Sequence, residues 1–262
     1  MAPAEVLAYQ AQWLATHQID YYLYAGDLFN DFAKTSRYFE KLQAASPQTK
    51  VYYIAGNHDM LKTPAQTIAH FAGPQYLHNR WVDLPNSDWR VIANNGWYDY
   101  SFSRFQNDLK QVARWKNVYW IDSAIDQAES DPERMAQVLA QVHQQLQLAA
   151  KDHRRVIFLT HFAPRHELLM PKPAHLISPR AERNYQMINA MMGSDHLGDL
   201  LEQSGIVPLV FYGHLHGIHQ PLTHHGVTYY NQAVGVNNKR HHEWQAPTFW
   251  QQWVQTVRVI EG

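Results

Sequence analysis

At 262 residues the chain is long enough for one large domain with a full core, and 45% apolar against 17% charged residues is ordinary for a globular protein. A formal net charge of −1, with no block of like charges, argues against a general nucleic-acid binder or a basic membrane-surface protein. The absence of cysteine excludes a disulfide framework and a thiolate metal site, so any cation must be held by His, Asp, Glu, Asn or backbone oxygen.

Residues 4–17 predict a helix, with Val6, Leu7, Trp13 and Leu14 on one apolar face. A short tyrosine-rich strand follows at 19–25, and a helix at 31–45 is ended by Ser46-Pro47. Residues 51–55 predict a second strand, 64–71 a short helix, and 90–94 a third strand bounded by Asn95-Gly96. From about 98 to 152 the pattern is mainly helical, clearest at 132–150, and reads as an insert. A continuous apolar strand at 155–160 leads into a proline-rich loop at 163–179, then helices near 181–192 and 196–203. Strands are predicted at 206–212 and 226–230, with a long strand or hairpin arm closing the chain at 248–260.

Strands alternating with helices indicate an α/β fold. With no repeat or linker, residues 1–262 read as a single domain. No basic flank leads into an apolar run at residues 1–17 and no stretch approaches a membrane span, so the expected location is cytoplasmic. Nine scattered tryptophans suit packing better than a stacking platform for bases.

Four short motifs each follow a predicted strand: Gly26-Asp27, Gly56-Asn57-His58-Asp59, Thr160-His161 and Gly213-His214-Leu215-His216. In open α/β sheets, ligand sites gather beyond the carboxyl ends of the strands, so motifs spread over nearly 190 positions can converge. Asp27 is a hard anionic oxygen ligand able to bridge two cations, Asn57 offers an amide oxygen, and His161, His214 and His216 offer imidazole nitrogens. Residues two apart on an extended segment face the same side, which aligns His214 with His216. A mixed N/O set without thiolate suits manganese, iron or zinc. Each motif alone is weak; the ordered set is specific.

This set resembles the calcineurin-like metallophosphoesterases. The resemblance implies a four-layer αββα sandwich of two mixed sheets flanked by helices, with a two-metal centre at one edge. It implies that Asp27 bridges two divalent cations, that Asn57, His161 and His214 complete one of them, and that His216 serves the other. His58 matches the family histidine that contacts phosphate and protonates the leaving group, with Asp59 orienting it; helix capping is the alternative for Asp59. The chain departs from the family in one respect. The family opens with a strand ending in Asp-x-His, and no Asp-x-His occurs here. The preferred expectation is a sequence that starts late, omitting a strand of roughly fifteen to twenty residues. A single-metal variant and a catalytically silent scaffold are the alternatives.

The expected activity is hydrolysis of a phosphomonoester or phosphodiester by metal-activated water, on a phosphorylated small molecule. A nuclease is disfavoured by the near-neutral charge. Tyr98, Tyr100, Arg165, His166 and Arg180 are candidate substrate contacts, weighed against a role as ordinary loop residues, and for the aromatics of 97–100 core packing is the preferred reading.

Overall fold

The computed structural model describes residues 3–217, 219–238 and 242–261. In chain order the first elements are α1 (Pro3–Thr16), β1 (Tyr21–Tyr24), α2 (Phe32–Ala45), β2 (Lys50–Tyr53), α3 (Ala65–Ala69), β3 (Arg80–Asp83), β4 (Trp89–Ala93), α4 (Leu109–Tyr119) and α5 (Asp131–Lys151). There follow β5 (Arg155–Thr160), α6 (Pro179–Asn189), α7 (Asp195–Gln203), β6 (Leu209–Tyr212), β7 (Leu222–His224), β8 (Val227–Asn231) and α8 (Phe249–Thr256). Polar side chains start the helices where the sequence offers them. Asp31 accepts from the Lys34 amide at the head of α2, and Ser130 with Glu133 forms a reciprocal capping box on α5.

Among the described residues the strands form two sheets. β1 and β2 pair in parallel, while the larger sheet runs β3-β4-β5-β6-β8-β7. Its four central strands are parallel, and the outer strands β3 and β7 are antiparallel to their neighbours.

Period-two alternation explains the layering. Tyr22 and Tyr24 of β1, Val51 and Tyr53 of β2, Val156 and Phe158 of β5, and Val210 and Tyr212 of β6 belong to the main core that includes residues from the helices. The intervening residues Leu23, Tyr52, Ile54, Val91, Ala93, Ile157, Leu159 and Phe211 form a second apolar cluster. That cluster joins the two sheets face to face. Both faces of the inner strands are therefore apolar, as sheets covered on both sides require. The result is two sheets packed together and flanked by helices.

The sequence prediction fails at two kinds of place. The closing strand expected at 248–260 is instead α8 followed by irregular chain, with Thr248 capping the helix by accepting from the Gln251 amide. Phe249, Trp250, Trp253, Val254 and Val257 repeat at helical spacing, but their β-prone side chains suggest a strand. The edge strands β3 and β7 were not foreseen, because three of the four residues of β3 are exposed and β7 is only three residues long.

Candidate metal centre

β1 and β2 end together, Tyr24 against Tyr53, and β5 and β6 end together, Thr160 against Tyr212. The loops leaving these four ends carry the four sequence motifs. They meet where the two sheets come together, and His161 bonds across the join, its Nδ1 lying 2.7 Å from the Ala25 carbonyl oxygen.

Asp27, Asn57, His161 and His214 converge. His161 Nε2 lies 3.2 Å from Asp27 Oδ2 and 3.1 Å from Asn57 Oδ1, and His214 Nδ1 lies 3.2 Å from the same amide oxygen. Ligand atoms around a tetrahedral cation with bonds of about 2.0–2.1 Å are separated by about 3.3 Å, so this spacing fits an ion. Among the described residues, His214 Nε2 is buried without a hydrogen-bond partner, a need that a bound cation or its ligands would satisfy.

The backbone is shaped for this approach. Asp27 and His214 both adopt left-handed conformations, with φ of 63° and 59°. A Cβ on Gly56 would lie 2.1 Å from Asp27 Oδ1 and 2.6 Å from His161 Cε1, so only glycine allows the two residues to close over it.

Electrostatics prepare the same atoms. Burial opposes ionisation of Asp27, but His161, with smaller contributions from His58 and His214, outweighs it and holds the carboxyl well below the usual range. Burial likewise disfavours the His161 cation, yet the Asp27 carboxylate and the Ala25 carbonyl raise its pKa above the ordinary value. Desolvation dominates at His214 and pushes its pKa far down, leaving a neutral imidazole.

Two residues expected to act together are separated. His58 is partly exposed, its amide donates to Asp27 Oδ1 at 2.9 Å, and its Nδ1 faces Asn30 Oδ1 at 3.1 Å. Asp59, expected to orient His58, is turned inward instead. Its carboxylate accepts from the amides of Asp27, Gly56 and Phe29 and from the Thr35 hydroxyl, at 2.8, 3.0, 3.2 and 2.6 Å. It therefore ties the β1 and β2 loops together. Burial and the nearby Asp27 charge push its pKa up to about 6.

His216 is exposed and its Nδ1 lies 2.9 Å from Glu243 Oε2. It is not in the group of mutually close ligand atoms formed by Asp27, His161 and His214.

The substrate contacts expected in the loops mostly lie elsewhere. Tyr98 is fully buried and donates its hydroxyl to Asp122 Oδ2 at 3.0 Å. Tyr100 is buried too, bonded to Asp131. Arg165 is nearly buried and engaged by Glu167, Asp199 and Glu202, so its guanidinium is committed to the protein. Apolar neighbours and carboxylate partners draw these residues inward. His166 is exposed, with Nδ1 3.0 Å from Asp195, and Arg180 is exposed.

Two positions without a sequence motif also contact the residues of the site. Asp122 accepts from Asn57 Nδ2 at 2.7 Å, which fixes the amide so that its oxygen faces His161 and His214. The Trp120 indole donates to the same carboxylate at 3.1 Å, and burial raises the Asp122 pKa. Asn30 is the second, against His58.

A family profile described as calcineurin-like phosphoesterase matches residues 4–217. No curated protein matches the sequence at a significant level. Among solved structures, a dimetal phosphatase from Danio rerio superposes with a TM-score of 0.53 at 14% identity, over 87% of this chain and 76% of that one. Another superposes at 0.50 with 12% identity, over 87% of this chain and 85% of its own. These likenesses agree on the fold.

Proposed function

The chain belongs to the calcineurin-like phosphoesterase family, and from that premise we propose that it is a metal-dependent phosphoester hydrolase. The observation that carries this reading is the convergence of Asp27, Asn57, His161 and His214 at spacings of 3.1–3.2 Å. These four residues would hold one divalent cation, and Asp27 with His216 would contribute to a second. Manganese, iron or zinc fits the nitrogen and oxygen donors. We read residues 1–262 as one domain with a helical insert, acting in the cytoplasm on a phosphorylated small molecule.

When bound, divalent cations supply the charge that activates water and neutralises phosphate oxygens. The chain's own residues do the rest. Asp27 provides the anionic anchor, and Asn57, held by Asp122, presents its oxygen in a fixed direction. The neutral His214 ring needs no deprotonation to act as a ligand. With its Nδ1 donating to Asn30, a protonated His58 can deliver its Nε2 proton to the leaving oxygen. Asp59 acts as a positioning residue for the loops.

A metal-supplemented assay with aryl phosphate monoesters and diesters tests the reading. His58→Ala is expected to lower kcat by about 10²–10⁴-fold with metal content unchanged. Unaltered turnover in this variant would remove His58 from the mechanism. Asp122→Ala frees the Asn57 amide to rotate and is expected to weaken metal affinity by about 10–100-fold. Equilibrium dialysis measures this, and unchanged affinity would show that Asp122 serves packing alone.

A second reading, a phosphoesterase fold that binds without turnover, draws support from the position of His216. It is exposed, faces Glu243, and lies outside the ligand cluster. That reading expects no turnover of any ester with manganese, iron or zinc present.

A further inference from the structure

We propose that Glu202, His224 and His225 form a separate divalent-cation site of the zinc type. The site lies at the opposite end of the larger sheet from the candidate centre. Glu202 closes α7, while His224 and His225 lead the turn between β7 and β8. The Thr228 amide donates to the Pro208 carbonyl at 2.9 Å, which places that turn at the start of β6, whereas His214 follows its end.

Both imidazoles converge on one carboxylate. His224 Nδ1 is 2.9 Å from Glu202 Oε1, and His225 Nδ1 is 3.1 Å from Oε2. The three ligating atoms all lie within 4.8 Å of one another. Zinc bonds of about 2.0–2.1 Å separate tetrahedral ligand atoms by about 3.3 Å, so small side-chain shifts admit the ion. Two imidazoles and a carboxylate are a donor set for zinc rather than for calcium or magnesium.

The carboxylate is built in. Its side chain is 4% exposed, and the Tyr229 hydroxyl donates to Oε1 at 2.7 Å, fixing its orientation. Arg165 Nη1 lies 3.5 Å from Oε2 but also pairs with Asp199 at 2.7 Å, so it keeps a partner when a cation enters. The histidines face outward, 28% and 74% exposed, beside a cleft of about 190 Å³ that Glu202, Pro208 and His225 help to line. The cleft leaves room for water at a remaining coordination position. The turn itself is unusual, because His225 and Gly226 have φ of 44° and 82°, a pair of positions where Asn, Asp and Gly are favoured.

Zinc stoichiometry of the full chain, measured by equilibrium dialysis, tests the site, with Co²⁺ absorption as a probe of tetrahedral geometry. The paired variant His224→Gln and His225→Gln is expected to lose one zinc equivalent and the matching Co²⁺ band, with an unchanged circular dichroism spectrum. Asp27→Asn is expected to leave that equivalent in place, which separates this site from the candidate centre. Full retention of zinc in the paired variant, or the absence of any bound zinc from Asp27→Asn with the histidines intact, overturns the proposal. In a second measurement, zinc is expected to raise the thermal midpoint of Asp27→Asn and to lose that effect when the two histidines are also replaced. The same zinc-induced rise with and without the histidines would overturn it too.

Discussion

Asp27→Asn is expected to abolish retention of the cation at the candidate centre and to lower kcat/KM at least about 10³-fold, a loss of about 4 kcal/mol in transition-state stabilisation. Among Asp27, Asn57, His161 and His214 it is the one anionic donor, so its replacement leaves a neutral set. The amide keeps the volume and an oxygen that can still accept the His58 amide hydrogen bond, now 2.9 Å long. The metal-free fold should therefore survive. His161 loses the carboxylate 3.2 Å from its Nε2, and with it the interaction that sustains its raised pKa. Metal analysis and turnover after metal supplementation, with circular dichroism as the folding control, check this outcome. A folded Asp27→Asn chain that keeps both its metal and its turnover would place the chemistry elsewhere.

Asp131→Ala is expected to destabilise the fold by about 3–5 kcal/mol, because it strands a buried lysine. Lys116 Nζ lies 2.6 Å from Asp131 Oδ1, with side chains 7% and 4% exposed. Trp97 and Gln127 donate to the same oxygen at 2.8 and 2.9 Å, and the Tyr100 hydroxyl donates to the other at 2.5 Å. Removing the carboxylate leaves four donors without it. Urea unfolding measures the loss, and a value under about 1 kcal/mol would mean that water or rearrangement replaces the network. The Lys116→Met, Asp131→Leu pair removes both charges and is expected to recover part of the loss. The damage should reach the site as well, since Tyr98 stacks on Trp97 at 4.6 Å and donates to Asp122, the partner of Asn57.

The parts of the site that repeat a local pattern were legible in the sequence. A run such as Val51–Ile54 followed by Ala55-Gly56-Asn57 declares both a strand and the end that carries Asn57, because strand periodicity and the glycine turn are local properties. Asp122 was not legible. It lies in a stretch without a motif, and its importance arises from a contact with Asn57, 65 positions away. Asp59 shows the complementary failure, since adjacency to His58 suggested a partnership that the turn of the chain prevents. Arg165 was misplaced because exposure was inferred from its loop, while its guanidinium pairs with Glu167, Asp199 and the buried Glu202; the burial of Tyr98 agrees with core packing as the preferred reading of residues 97–100. The α8 region had helical spacing, but bulky β-prone residues masked it.

The convergence of Asp27 and His214 also bears on how the molecule folds and unfolds. Those residues lie 187 positions apart, the difference between 214 and 27, and they come from different sheets. Contacts of such long range are expected to be completed late, after the second apolar cluster has docked one sheet on the other. A cation held between them therefore stabilises the native state more than the barrier leading to it. Stopped-flow kinetics are expected to show metal slowing unfolding while leaving the refolding rate nearly constant. Metal that speeds refolding and leaves unfolding unchanged would mean that the site assembles before the sheets dock. In the expected case, metal retention reports that both halves of the sandwich have already found each other.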